Sequence, residues 1–160
     1  MVSIRKKDKK TNMKRHGNIV RWVVAILLLS GAAVSGQMTY QPKFPGDPAH
    51  SASEAAALGY MRTVIRAQKL YKKKNDKYAS SLADLVHTGS FTRRMVNPER
   101  GDYSVGFRTH KEKGKDEDGY QLTLTPKQLD AEHRSFYAEE DGVIHADDQG
   151  PASDKSPLVK

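Results

Sequence analysis

Six histidines and nineteen carboxylates are the side chains of this 160-residue sequence best suited to acid–base or metal chemistry. Their spacing limits what they can do. His16, His50, His87, His110, His133 and His145 stand far apart, and no two lie four apart with a glutamate between them, as a helical metal site requires. Glu132-His133 is a neighbouring acid–imidazole pair. It becomes a site only if a third group converges on it from elsewhere in the fold. Glu139, Glu140, Asp141, Asp147 and Asp148 form an oxygen-rich stretch. Hard oxygens suit calcium, which takes about six to eight of them, so Asp141, Asp147 and Asp148 are the candidate ligands, although their spacing follows no established calcium loop. No serine stands in a nucleophile elbow, no glycine-rich phosphate loop occurs, and cysteine is absent. The residues therefore point to a non-catalytic protein with no cofactor, calcium at Asp141, Asp147 and Asp148 being the one candidate ion, and no small-molecule substrate is evident.

These carboxylates sit among segments with a period of two. Tyr103, Val105 and Phe107 alternate with Ser104, Gly106 and Arg108, and Tyr120, Leu122 and Leu124 alternate with Gln121, Thr123 and Thr125. Such alternation predicts half-buried strands, and Pro126 closes the second. Between them His110 to Gly119 reads as a charged hairpin loop with a solvated tip. Ser135 to Ala138 predicts a third strand, with a tight turn over Glu139-Glu-Asp-Gly142 and a return through Val143-Ile-His145. Asp-Gly supplies the positive-φ position that a short hairpin demands.

Ahead of the strands the period becomes helical. Ser51-Ala-Ser-Glu54 matches a capping box, in which the serine accepts from a first-turn amide and the glutamate reaches back. Leu58, Met61, Val64, Ile65 and Tyr71 then fall on one stripe, interrupted by Gln68, while Arg62, Arg66, Lys69 and Lys73 mark the other side. The ordinary role of such a basic face is solvation. Lys72-Lys-Lys74 suits the helix's negative end. A short helix capped by Ser81 comes next, and Thr88 to Asp102 reads as irregular. Together these segments predict an α+β domain: one long N-terminal amphipathic helix packed on a small antiparallel sheet of three to four strands.

Charge is distributed unevenly. Residues 1–21 hold eight basic side chains against Asp8 alone, so they carry seven of the eight net positive charges. The rest of the chain is close to neutral and lacks the basic footprint of a nucleic-acid binder. Directly after Arg21, Trp22 to Gly36 contains no charge. A basic flank, an apolar run and small residues at its end form the signature of an export signal. The 15 uncharged residues fall short of the roughly 20 needed to span a bilayer. Cleavage before Gln37 or before Gly36 fits the small-residue rule, while Arg21 and Met38-Thr-Tyr40 suit a retained anchor. Residues 1–21 thus read as a cytoplasmic basic region and residues 19–36 as a signal peptide or inner-membrane anchor. Residues 37–50, with Pro42, Pro45 and Pro48, read as a linker, 51–148 as the folded domain and 149–160 as a flexible tail.

Three stretches carry a family likeness. Ala67-Gln-Lys-Leu-Tyr71, Asn75-Asp-Lys-Tyr-Ala79 and Ser81-Leu-Ala-Asp-Leu85 resemble the end of the spine helix and the adjoining loop of type IV pilins and type II secretion pseudopilins. Gly119 to Leu124 and Ser135 to Ile144 are similar to the sheet of solitary pilin-like envelope proteins. The resemblance implies a pilin-like fold and an exported, non-catalytic envelope protein acting through protein–protein contacts, linked to a pilus or secretion system. Pseudopilins of the major class bind calcium in a C-terminal loop, which is what the resemblance implies for the acidic stretch. The chain departs from the pilin pattern at its start. Gly17 is followed by Asn18, no glutamate lies in the apolar run, and three prolines separate that run from the helix. Two other readings are a periplasmic ligand-binding module using a groove between sheet and helix, and a calcium-dependent adhesion or secretion subunit. Burial of Phe107, Tyr120 and Phe136 against the helix would favour protein–protein contact over the ligand-binding groove.

Overall fold

Proline cannot donate a backbone hydrogen bond, and the proline-rich entry to this domain folds around a carboxylate instead. In the computed structural model, which describes residues 40–111 and 118–160, Tyr40 Oη and the Lys43 N–H donate to Asp47 Oδ2 at 2.6 and 3.0 Å. The Ala49 N–H donates to Oδ1 at 3.2 Å. Tyr40 and Ala49 pack on the core, so the segment read as a linker is tied down at both ends of its turn. The apolar run at residues 19–36 and its basic flank lie outside the described residues. Among those described, no helix is long and apolar enough to cross a membrane.

Helix α1 spans Ala52–Asn75. Ser51 is its N-cap and its Oγ accepts from the Glu54 N–H at 3.1 Å, while Glu54 Oε2 accepts from the His50 N–H at 2.9 Å. The reciprocal cap thus closes one residue earlier than the capping box predicts. At the other end Asp76 adopts a left-handed conformation (φ 55°) and its N–H donates to the Lys72 carbonyl at 2.8 Å. Leu58, Met61 and Val64 are fully buried. Each such side chain contributes about 1.5–3 kcal/mol on burial. Gln68 lies on the same stripe and is also fully buried. Its amide accepts from the Ala79 N–H at 2.9 Å and donates to the Ala79 carbonyl at 3.2 Å, so it pairs with backbone as a strand would.

Five antiparallel strands complete the domain in the order β1-β2-β3-β4-β5. They are β1 Glu99–Arg100, β2 Tyr103–Lys111, β3 Asp118–Pro126, β4 Ser135–Glu139 and β5 Ile144–Asp147. The register sets Val105 opposite Leu124, Phe107 opposite Leu122, Leu124 opposite Phe136 and Ala138 opposite Ile144. With a period of two, that register collects the apolar side chains on one face, which packs with α1 in a single core. The other face carries Ser104, Arg108, Gln121, Thr123 and Thr125.

The expected fold, a long N-terminal helix on three to four strands in the pilin manner, is corrected on two counts. The helix begins at Ala52, well inside the chain, and the sheet has five strands. The fifth strand arises from Glu99 and Arg100, which pair with Ser104 and Tyr103 across a turn. Two residues between Pro98 and Gly101 are too short for any period to register. The segment read as irregular also contains a 3-10 turn at Arg93–Val96, and Phe91 beside it is buried. His110, Lys111, Asp118 and Gly119 belong to strands rather than to the loop expected at His110–Gly119, whose remaining residues 112–117 lie outside the described part.

Residues 149–160, read as a flexible tail, run back along β5. The Ala146 N–H donates to the Pro157 carbonyl and the Val159 N–H to the Ile144 carbonyl, both at 2.9 Å. Leu158 thereby forms an antiparallel bridge with His145, and Val159 packs against the core. The segment covers an edge that would otherwise offer unpaired amides to another chain.

Candidate functional site

The three calcium candidates do not meet. Asp141 lies in the β4–β5 turn, where its Oδ1 accepts from the Val143 N–H at 2.9 Å. Asp147 ends β5, at the opposite end of that strand. Its Oδ1 accepts from the Gln149 and Gly150 N–H groups and its Oδ2 from Ser156 Oγ at 3.0 Å. Those donors hold the Asp147 carboxyl below the usual carboxylate range. Asp148 is exposed. Asp147 therefore serves as the anchor of the returning C-terminal segment. Among the described residues, no three His, Asp or Glu side chains are placed to hold a metal ion.

The histidine singled out beside Glu132 finds different partners. His133 Nδ1 is 2.8 Å from Asp130 Oδ1, three residues upstream, and Nε2 is 3.8 Å from Asp102 Oδ2. The hydrogen bond from His133 depresses the Asp130 carboxyl. Ser53 Oγ donates to Asp102 Oδ2 at 2.5 Å. The serine proton is thus directed at a carboxylate rather than at the imidazole. A nucleophile needs the base within reach of its own hydroxyl, so this cluster joins α1, the β1–β2 turn and the β3–β4 loop without aligning an acyl-transfer pair. His50 and His145 each set Nδ1 against a carbonyl, of Ala131 and Ser156.

The most buried charge was visible in the sequence only as a cap. Glu54 is fully buried, and Arg134 reaches it from the start of β4. Arg134 Nε and its backbone N–H donate to Oε1 at 3.0 and 2.8 Å, and an Nη donates to Oε2 at 2.8 Å. The same nitrogen donates to the Pro48 carbonyl at 2.7 Å. Burial pushes the Glu54 carboxyl up, but the bonds from Arg134 and His50 outweigh it and hold it low. Nothing near Arg134 in sequence announces this pair, because its partner lies 80 residues away.

The basic face of α1 forms a surface groove. Arg62, Arg66 and Lys69 stand along one side of a cleft of about 480 Å³ between α1 and the β4–β5 turn. Ile65, Val143, Ile144 and Val159 supply its apolar lining. Gly142 lets the turn approach the helix: its φ is +75°, and a Cβ there would lie 2.8 Å from Lys69 Nζ and 3.0 Å from Ile65 Cγ2. Among the described residues none of the three cations has an ion-pair partner. On the other side of α1, Arg100 stacks on Tyr60 at 4.7 Å and donates to the Arg94 carbonyl at 2.6 Å. No family model, no curated protein and no solved structure matches this chain.

Proposed function

We propose that this protein is an exported, non-catalytic component of the cell envelope that works through protein–protein contact, its domain lying outside the inner membrane. The basic block and uncharged run at residues 1–36 support the export half of the reading. One observation carries the contact half. Tyr120, Leu122, Leu124 and Phe136 are at most 1% exposed, and the partly buried Phe107 joins them in the core with α1. The apolar sheet face is therefore consumed by the helix, which disfavours a ligand held between sheet and helix and leaves the outer surfaces for partners.

The experiment is cell fractionation with N-terminal sequencing of both fractions, on the wild type and on a variant with Lys6, Lys7, Lys9 and Lys10 changed to Glu. The wild-type domain is expected in the periplasm, soluble with a new N-terminus near Gly36 or membrane-bound with an intact one. Reversing the four charges should block delivery or invert orientation. A cytoplasmic wild type, or unchanged delivery of the variant, overturns the reading.

A further inference from the structure

We infer that the groove beside α1 binds an extended segment of a partner protein in which acidic and aliphatic residues alternate. The inference rests on the protein-contact reading and names the chemistry of the contact. Arg62, Arg66 and Lys69 succeed one another at four and three residues along the helix, roughly 6 and 4.5 Å apart in rise. Every second residue of a strand advances about 6.6–6.8 Å, so acidic side chains on one side of an extended segment come close to the step of the first two cations. Its alternate side chains point the opposite way and meet Val143, which is 38% exposed, and the half-buried Ile144 and Val159.

The helix itself gains nothing from this row of charge. After Glu54 no acid occurs before its end at Asn75, while six Lys or Arg residues do. Like charges at i, i+4 such as Arg62 and Arg66 disfavour a helix, and an incoming carboxylate relieves them. Asp141, at the lip of the groove, turns its carboxylate onto the Val143 amide. Other polyanions fit less well. None of the lining residues is aromatic, so bases find no stacking platform. A flat headgroup layer offers no alternating aliphatic side chains to Val143, Ile144 and Val159.

The test uses the purified full chain and fluorescence anisotropy with a labelled peptide of alternating glutamate and valine. A glutamate–serine peptide should bind at least about tenfold more weakly, and a lysine–valine peptide should not bind. Arg66→Glu should weaken the glutamate–valine complex at least about tenfold. Lys73→Glu, the same charge change outside the groove, should stay within about threefold of wild type. Both positions are on the helix surface, and circular dichroism melts check that each variant folds. Equal losses in the two variants, equal affinity for the serine peptide, or binding only to phosphatidylglycerol vesicles would overturn the inference. Export is read separately: peptide binding by a protein found in the cytoplasm sinks the export reading and leaves the groove intact. An exported protein without peptide affinity does the reverse.

Discussion

At the residue scale the decisive group is Glu54, a carboxylate with no exposed surface that takes bonds from a guanidinium and two backbone amides. Removing one member of a buried pair strands the other, which typically costs about 3–5 kcal/mol. Arg134→Met should therefore destabilise the domain by about that amount at pH 7. The pH dependence has a definite sign. In the wild type the folded-state carboxyl is depressed, so the folded chain holds fewer protons than the unfolded one across the acid range. That stability is present above the ordinary carboxylate value and is lost as pH falls through the folded value. In Arg134→Met burial is opposed only by the two backbone amides, so the carboxyl rises relative to the wild type and the variant has less of this stability to lose as pH falls. Urea denaturation of both proteins should show a gap that is widest at neutral pH and narrows as pH falls through the ordinary carboxylate range and on through the folded value. A gap independent of pH would show that the pair contributes packing rather than charge.

At the element scale α1 is held to the loop behind it by a side chain of the wrong polarity for its position. Gln68 lies on the buried stripe because Ala79, in that loop, presents both backbone groups to it. In sequence Gln68 looks like a flaw in an apolar pattern. A flaw of that kind is itself a signal, since a buried amide persists only where it is paired. Gln68→Leu would complete the stripe and leave the Ala79 N–H and carbonyl without partners. The change should cost about 2–6 kcal/mol, at about 1–3 for each of the two orphaned groups. Amide exchange at Ala79 should accelerate more than exchange in β3. Unaltered protection at Ala79 would mean that the loop finds other partners.

At the scale of the whole molecule, the C-terminal segment finishes the sheet. Two backbone bonds, Asp147 and Ser156 lay residues 157–159 along β5, so the strand edge is covered. Deleting residues 156–160 should lower stability by about 1–3 kcal/mol from the lost bonds. It should also produce concentration-dependent association in sedimentation experiments, because β5 then offers a free edge. A shortened chain that stays monomeric with an unchanged melting curve would show that the segment is dispensable.

Much of this protein is legible in one dimension. The helix over Ala52–Asn75, the alternating strands around Val105 and Leu122 and the turn at Gly142 (φ 75°) arise from periodicity, capping and turn chemistry, all of which act within a few residues. The uneven charge on which the export proposal rests is likewise a property of the sequence alone. The two-residue β1 escaped because it is shorter than any period, and the course of residues 149–160 because polar, proline-rich composition reports propensity rather than a docking place. His133 and the acidic residues behaved the same way. Adjacency suggested Glu132 for His133, and charge density suggested calcium for Asp141, Asp147 and Asp148. The fold instead brought Asp130 and Asp102 to the imidazole and set Asp141 and Asp147 at opposite ends of a strand. The sequence by itself determined which residues are basic, apolar and periodic. Only the tertiary structure decided that the basic face of α1 borders an apolar groove and that Glu54 meets Arg134, because both depend on contacts between segments about 80 residues apart.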